Sequence, residues 1–345
     1  MQEKLTIGNR CDKCSQDAKI VLPYGPHRFC STHFNEFFEN RIKKTTRNSS
    51  MIKYGEKIAI GVSGGKDSMV TLHLLNKIFG GQNKIEAIMI DEGIKGYRDK
   101  ALEVGVKYCK EHSIEYHVAT YQEKFNLDMN EVMKKIHSDK SLGSTCSFCG
   151  VFRRDLLNEK ALEIDAQKLA TGHNLDDEVQ SIAMSLFGND TGRVSRLGEI
   201  VENKKIDGMV ARIKPLYETP EKEIIAYAAL NGISHYSEEC CPYSWMAKRN
   251  QYRKMLNDLE DSIPGTKYSI LASFRNLKPY LIMAQKENRQ QIKQCAACGK
   301  ASNGTLCGTC RQLLKIRSAK TQTPEQSGIF QPQDALSCAQ TKGLK

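Results

Sequence analysis

The side chains best equipped for chemistry in this 345-residue chain are its cysteines and one polar, glycine-bearing loop. Eleven of the thirteen cysteines fall into four close groups, which is how metal sites look in a sequence. Cys11-Asp12-Lys13-Cys14 is followed by Cys30-Ser31-Thr32-His33, two knuckles whose ligands can close a tetrahedron around Zn²⁺. A redox dithiol competes for the first knuckle, but His33 fits a ligand better than a bystander. Near the other end, Cys295-Ala296-Ala297-Cys298 and Cys307-Gly308-Thr309-Cys310 have zinc-ribbon spacing, with Gly299, Gly304 and Gly308 letting backbone amides fold over the sulfurs. The pair Cys146 and Cys149 has no companion pair nearby. Zinc would need two more ligands from elsewhere, whereas a cluster with one open iron needs only one. The stretch Glu239-Cys240-Cys241-Pro242-Tyr243 is where that ligand is to be sought.

The loop is Val62-Ser63-Gly64-Gly65-Lys66-Asp67-Ser68, preceded by apolar Ile58-Ala59-Ile60 and followed by Met69 to Ile78 with a helical apolar face. Glycines let a ligand approach the backbone, and Ser63, Lys66 and Ser68 supply donors. A turn opening onto a helix N-terminus aims N–H groups at one point, so an anion is the expected guest. The Walker A pattern is excluded, because Lys66 is followed by Asp67 and no glycine stands at the required offset.

The elements that must position these groups alternate from Lys57 onward. Apolar strands are expected at 58–62, 85–90, 115–118, 167–171 and 209–213, with helices at 69–78, 99–111 and 221–229. That alternation predicts an α/β fold with a parallel sheet covered on both faces, whose ligands sit at the carboxyl ends of the strands. Ile90 and Asp91 end one strand, and Asp91 can equally be a turn or capping carboxylate. Gly172-His173-Asn174-Leu175-Asp176-Asp177-Glu178 follows another. Its carboxylates suit a helix first turn on dipole grounds alone, yet two adjacent aspartates near a triphosphate could also help hold Mg²⁺. The expected organisation is a zinc module at 1–40, a basic connector at 41–56, a catalytic domain at 57–285, a zinc ribbon at 290–315 and a disordered polar tail at 319–345. A formal charge of +11 suggests a polyanionic partner, and Arg41 to Arg47 and Lys248 to Lys254 are basic stretches that could meet phosphates. Arg212 and Lys214 could do the same. No apolar run reaches the roughly 18 residues of a membrane span, and Met1-Gln2-Glu3-Lys4 lacks the apolar core of a secretory signal. The expected location is cytoplasmic, with no membrane partner.

Ser63-Gly64-Gly65-Lys66-Asp67-Ser68 resembles the PP-loop of the ATP pyrophosphatases. The whole set from Cys11 to Cys310 resembles the TtcA/TtuA family of tRNA 2-thiolation enzymes, nearest its TtuA-type members with two zinc fingers. The match rests on S-G-G-K-D-S, C-S-F-C-G-V-x-R-R, G-H-N-L-D-D-E and E-C-x-P-Y-S together with both zinc modules. The resemblance implies a PP-loop catalytic domain that cleaves ATP to AMP and pyrophosphate, with tRNA as substrate. It places ATP on Val62, Ser63, Gly64, Gly65, Lys66, Asp67, Ser68, Ile90, Asp91, Arg153, Gly172 and Asp176, with Lys66, Asp67 and Asp176 in catalysis beside Mg²⁺. It implies a 4Fe–4S cluster on Cys146, Cys149 and the cysteine directly before Pro242, which selects Cys241, Cys240 being the extra residue. In this reading the cluster carries sulfur rather than electrons. The uridine is at position 34 or 54, and the sulfur comes from free sulfide or a ubiquitin-like protein with a C-terminal thiocarboxylate. Two-fold self-association is common in the family. The rival readings are 2-thiolation of cytidine, an amide-forming ATP pyrophosphatase, and a non-catalytic zinc-stabilised RNA-binding protein. The paired zinc modules weigh against the first, the cysteine groups against the second, and intact Lys66, Asp67 and Asp176 against the third.

Overall fold

The computed structural model describes residues 10–25, 27–201, 208–237, 241–286 and 293–319. Cys240, Cys338 and the tail from 320 lie outside them. The apolar run 58–60 is buried on both faces, as a central parallel strand requires. It forms β3 (Lys57–Gly61), whose neighbours are β4 (Lys84–Asp91) and β6 (Lys168–Thr171), with Ile58 opposite Ile85 and Ala59 opposite Leu169. With β5 (Glu115–Thr120), β8 (Ala211–Ile213) and β7 (Ile200–Val201), the order across the sheet is β5-β4-β3-β6-β8-β7. Every pairing is parallel except that of β7 with β8. The chain goes outward from β3 through β4 to β5 and then returns to β3's other side as β6. That reversal makes the carboxyl ends of β3 and β6 a topological switch point, where such sheets bind ligands.

Helices cover both faces. One layer contains α2 (Lys66–Phe79), α3 (Arg98–Glu111) and α9 (Glu221–Leu230), and its core is continuous with that of α1 (Ser31–Asn48). The cysteine hairpin of β1 (Ile20–Leu22) and β2 (His27–Phe29) therefore docks on the main core. Phe34 and Phe38 are fully buried, and Phe38 stacks on Tyr227 with ring centroids 4.4 Å apart. Residues 41–48, expected as a connector, continue α1. Arg41 there points inward to Glu223 at 2.9 Å and to the Tyr24 hydroxyl at 2.9 Å, while Lys43, Lys44 and Arg47 stay exposed.

The opposite layer holds α4 (Tyr121–Phe125), α5 (Met129–Ser138) and α6 (Thr145–Glu163). A third cluster joins α7 (Leu175–Phe187), α8 (Thr191–Val194), α10 (Arg249–Ser262) and α11 (Thr266–Lys286). The basic stretch after Trp245 becomes α-helical from Arg249. The last cysteine group sits on β9 (Lys293–Gln294), β10 (Ala301–Ser302) and α12 (Gly308–Ser318). It is fastened to α6 by Lys300, which reaches Asp155 at 2.8 Å and Glu159 at 2.9 Å, and by Ile316, buried in the same core. Among the described residues no helix is long and apolar enough to cross a membrane.

Candidate active site

At the switch point the loop after β3 turns into α2 with Gly65 as N-cap and no side chain closing its first N–H groups. Those donors are left for a ligand. Ser63 and Ser68 brace the turn: their hydroxyls are 3.1 Å apart, Ser63 N–H donates to Ser68 Oγ at 3.1 Å, and Ser68 Oγ donates to the Gly65 carbonyl at 2.8 Å. Gly64 has φ +79°, and a Cβ there would lie 2.0 Å from the Ala101 carbonyl oxygen. Only glycine fits both the backbone and the space. The loop walls a cavity of about 220 Å³ that Val62, Ser63, Asp67, Ser68, Ile90 and Arg153 help to line.

The other wall comes from β6. A Cβ on Gly172 would stand 2.8 Å from the Asp67 carbonyl carbon and the Ser68 nitrogen, so this glycine lets one loop pass against the other. Asn174 and Asp177 form a capping box at the start of α7, and Asn174 Nδ2 donates to Asp67 Oδ1 at 3.2 Å. Asp177 lines the cavity and accepts from Arg249 at 2.9 Å. Asp176, the aspartate expected to meet ATP, faces away. It is buried against the Lys267 ammonium and accepts the Glu221 N–H at 2.8 Å, so both its oxygens are engaged. The carboxylate of this motif that reaches the cavity is Asp177.

Lys66 folds back between Asp67 at 3.1 Å and Glu221 at 2.5 Å. Burial alone would lower its pKa, but the two carboxylates outweigh that and hold it above the ordinary lysine value. Burial pushes the Asp67 carboxyl up, and Asp177 and Glu221 push the same way against Lys66. A cation in the cavity would reverse that shift. His173 is exposed at the cavity wall, its Nδ1 2.9 Å from the Thr171 hydroxyl. Lys214, expected to face phosphates, is paired with Glu178 in the interior.

At the end of β4, Ile90 lines the cavity, while Asp91 closes a turn by accepting the Gly93 N–H at 2.7 Å. Glu92 is fully buried and meets two guanidinium groups. Arg98 Nη2 donates to it at 2.8 Å, and Nη1 donates to the Ser63 carbonyl at 2.9 Å. Arg153 reaches Glu92 at 2.6 Å and Cys149 Sγ at 3.2 Å. The Arg153 Nε is buried without a hydrogen-bond partner among the described residues, an orphan donor beside the cavity.

Cys146 and Cys149 occupy the first turn of α6, three residues apart and so on one helix face. The Cys241 thiol interacts electrostatically with both, and burial pushes it up to about 11. Burial and Cys149 raise the Cys146 thiol as well. Three thiols beside an arginine and an orphan donor suit an anionic, thiolate-bound group, whose binding would keep them deprotonated.

The ligand atoms of Cys11, Cys14, Cys30 and His33 lie within 4.8 Å of one another, as do those of Cys295, Cys298, Cys307 and Cys310. Sulfur–sulfur separations of 3.9 Å for Cys14–Cys30 and 3.7 Å for Cys298–Cys307 match the edge of about 3.8 Å of a tetrahedron with 2.3 Å metal–sulfur bonds. His33 Nδ1 is 3.5 Å from Cys11 Sγ and 3.3 Å from Cys30 Sγ. Both groups fit one metal ion each.

Residues 34–260 match the family model described as a PP-loop domain. Over 322 residues the chain is 35% identical to the tRNA 2-thiolation protein NcsA of Haloferax volcanii, covering 89% of this chain and 99% of that protein. The chain belongs to the PP-loop family of tRNA 2-thiolation proteins. It is 33% identical over 302 residues to a tRNA-5-methyluridine(54) 2-sulfurtransferase of Pyrococcus horikoshii, covering 88% and 93% of the two chains. The structure of the U34-tRNA thiolase NcsA from Methanococcus maripaludis with its [4Fe-4S] cluster superposes with a TM-score of 0.71 and 32% identity, over 79% of this chain and 89% of that one. Sequence reasoning missed Glu92, Arg98 and Glu221, and of the two adjacent aspartates it gave the ATP contact to Asp176 where Asp177 lines the cavity. The signal for Glu92 and Arg98 was a charged pair just beyond an apolar strand end, which by itself reads as solvated surface.

Proposed function

We propose that this chain is a cytoplasmic enzyme that replaces the C2 oxygen of uridine 34 in tRNA by sulfur, at the cost of ATP split to AMP and pyrophosphate. The observation that carries this reading is the juxtaposition of the PP-loop cavity and the Cys146, Cys149 and Cys241 thiols, joined through Arg153. The C2 oxygen is a poor leaving group, and adenylation lets it depart as AMP. The open N–H groups of α2 and the Lys66 ammonium would bind the phosphates and offset charge as pyrophosphate leaves. For that, Lys66 must turn from Glu221 toward the nucleotide. Asp67 and Asp177 would hold Mg²⁺ on the phosphates, since both carboxylates line the cavity. Ile90 would pack against the adenine edge.

Cys146, Cys149 and Cys241 would hold a 4Fe–4S cluster, which when bound supplies an iron free to carry the incoming sulfur. The sulfur arrives at the sulfide level, from free sulfide or a thiocarboxylated ubiquitin-like protein, so no electron donor is required. Cys11, Cys14, Cys30 and His33 would bind one Zn²⁺, and Cys295, Cys298, Cys307 and Cys310 a second. The first braces α1 against α9, and the second braces α6, which presents Cys146 and Cys149. Exposed Lys43, Lys44 and Arg47 would contact tRNA phosphates.

The position is tested by thiolating unmodified tRNA in vitro with ATP and sulfide and mapping the product by mass spectrometry. Sulfur at uridine 34 is expected. Sulfur at position 54 instead would overturn the position, and no thiouridine or pyrophosphate from cluster-loaded protein would overturn the reaction.

A further inference from the structure

We infer that Glu92 is a positioning residue that ties the ATP loop to the cluster cysteines, so that nucleotide and cluster sense each other through one buried carboxylate. This rests on the thiolation reading above and goes beyond it. Glu92 is fully buried, and an isolated carboxylate there would be strongly unfavourable. Its partners lead in two directions. Arg98, itself only 3% exposed, donates to Glu92 at 2.8 Å and to the Ser63 carbonyl at 2.9 Å, inside the loop that cradles phosphate. Arg153 joins Glu92 at 2.6 Å and Cys149 Sγ at 3.2 Å. Three side chains thus form a continuous bridge from the ATP loop to a cluster sulfur.

The backbone of the same strand end ties to the third cysteine by a separate route. Asn130 Nδ2 donates to the Gly93 carbonyl at 2.6 Å, and its Oδ1 accepts the Tyr243 hydroxyl at 2.6 Å, two residues past Cys241. Gly93 is pinned in turn, with φ +74° and a virtual Cβ 2.6 Å from Asp128 Cβ. A shift of the β4 end is therefore felt on both sides of the thiol triad.

Charge points the same way. Two guanidinium groups share one carboxylate in this network, leaving one positive charge without a carboxylate among the described residues. An anion beside Cys149 balances it, and a thiolate-bound cluster is such an anion. Loading the cluster should therefore hold Arg153 toward Cys149, fix Glu92 and Arg98, and set Ser63. By reciprocity, nucleotide binding should strengthen the hold on the cluster by the same factor.

The test compares the Kd of a non-hydrolysable ATP analogue for cluster-free and cluster-loaded full-length protein. The expected ratio in the unmodified protein is about 5-fold or more, and the EPR signal of the reduced cluster should shift when the analogue is added. In Glu92→Gln the ratio should collapse toward one and the shift should vanish, while the iron content per chain stays unchanged. Arg153→Met provides the second variant: its side chain is half-exposed, and the change removes the one nitrogen, Nη2, that meets both Glu92 and Cys149. It should lose the ratio as well. A ratio near one in the unmodified protein, or its survival in either folded variant, overturns the coupling. Failure of the underlying reading looks different: the protein then takes up no cluster on its three cysteines or forms no thiouridine. A loaded, active enzyme with a ratio of one removes only the coupling.

Discussion

Gly172→Ala isolates the closeness of the two loops that form the nucleotide cavity. Gly172 is not among the glycines of positive φ, so alanine meets no backbone penalty there and the effect is steric. Its Cβ would lie 2.8 Å from the Asp67 carbonyl carbon and the Ser68 nitrogen, and 2.9 Å from the Asp67 oxygen. All three are backbone atoms, so no rotamer change relieves the contact. Opening 2.8 Å to an ordinary 3.4 Å requires about 0.6 Å of movement between the loops. Overpacking of this kind costs about 1–3 kcal/mol of stability. A misplacement of 1 Å can cost about 100-fold in rate, so a shift of about 0.6 Å should slow thiolation by about 10-fold. ATP affinity should fall as Ser68 and the first turn of α2 move. The assays are thermal unfolding, calorimetric ATP binding and single-turnover thiouridine formation. Gly81→Ala is the control, because nothing lies within 4 Å of its Cβ. An alanine at 172 with unchanged ATP Kd and rate would refute the argument that this glycine exists for loop contact.

The neighbouring aspartates should separate cleanly. Asp177→Asn should raise the Mg²⁺ concentration needed for pyrophosphate release with modest loss of stability. Asp176→Ala should instead destabilise the fold by about 3–5 kcal/mol in chemical denaturation, because it strands buried Lys267. Metal analysis of purified protein should find two zinc ions per chain besides iron, and Cys298→Ser or His33→Ala should each lose one, with the Cys298 variant also loosening α6 in hydrogen exchange.

Much of this site was legible in the chain because its chemistry is local. A thiol pair three residues apart shares a helix face wherever that helix packs, and two knuckles with metal-ligand spacing need only to meet. Ser63 to Ser68 carries its own turn, with Gly64 and Gly65 permitting it and α2 beginning immediately after. The alternation from Lys57 onward likewise gives the parallel sheet, because continuous apolar runs such as Ile58-Ala59-Ile60 are stable only when both faces are covered.

What only the tertiary structure decided is which way the polar groups face and what lies opposite them. Asp176 and Asp177 are adjacent in sequence, but successive residues on a helix point about 100° apart. The burial of Leu175, Val179 and Ile182 fixes the rotation of α7, turning Asp176 to Lys267 and Asp177 to the cavity. Lys66 meets Glu221, which arrives from 155 positions along the chain. Glu92 looks like the solvated end of a strand until α3 and α6 bring Arg98 and Arg153 over it and exclude water. Residue types and spacing set which reagents this protein carries. Their division between catalysis and support depends on helix rotation and long-range packing, which no local spacing encodes.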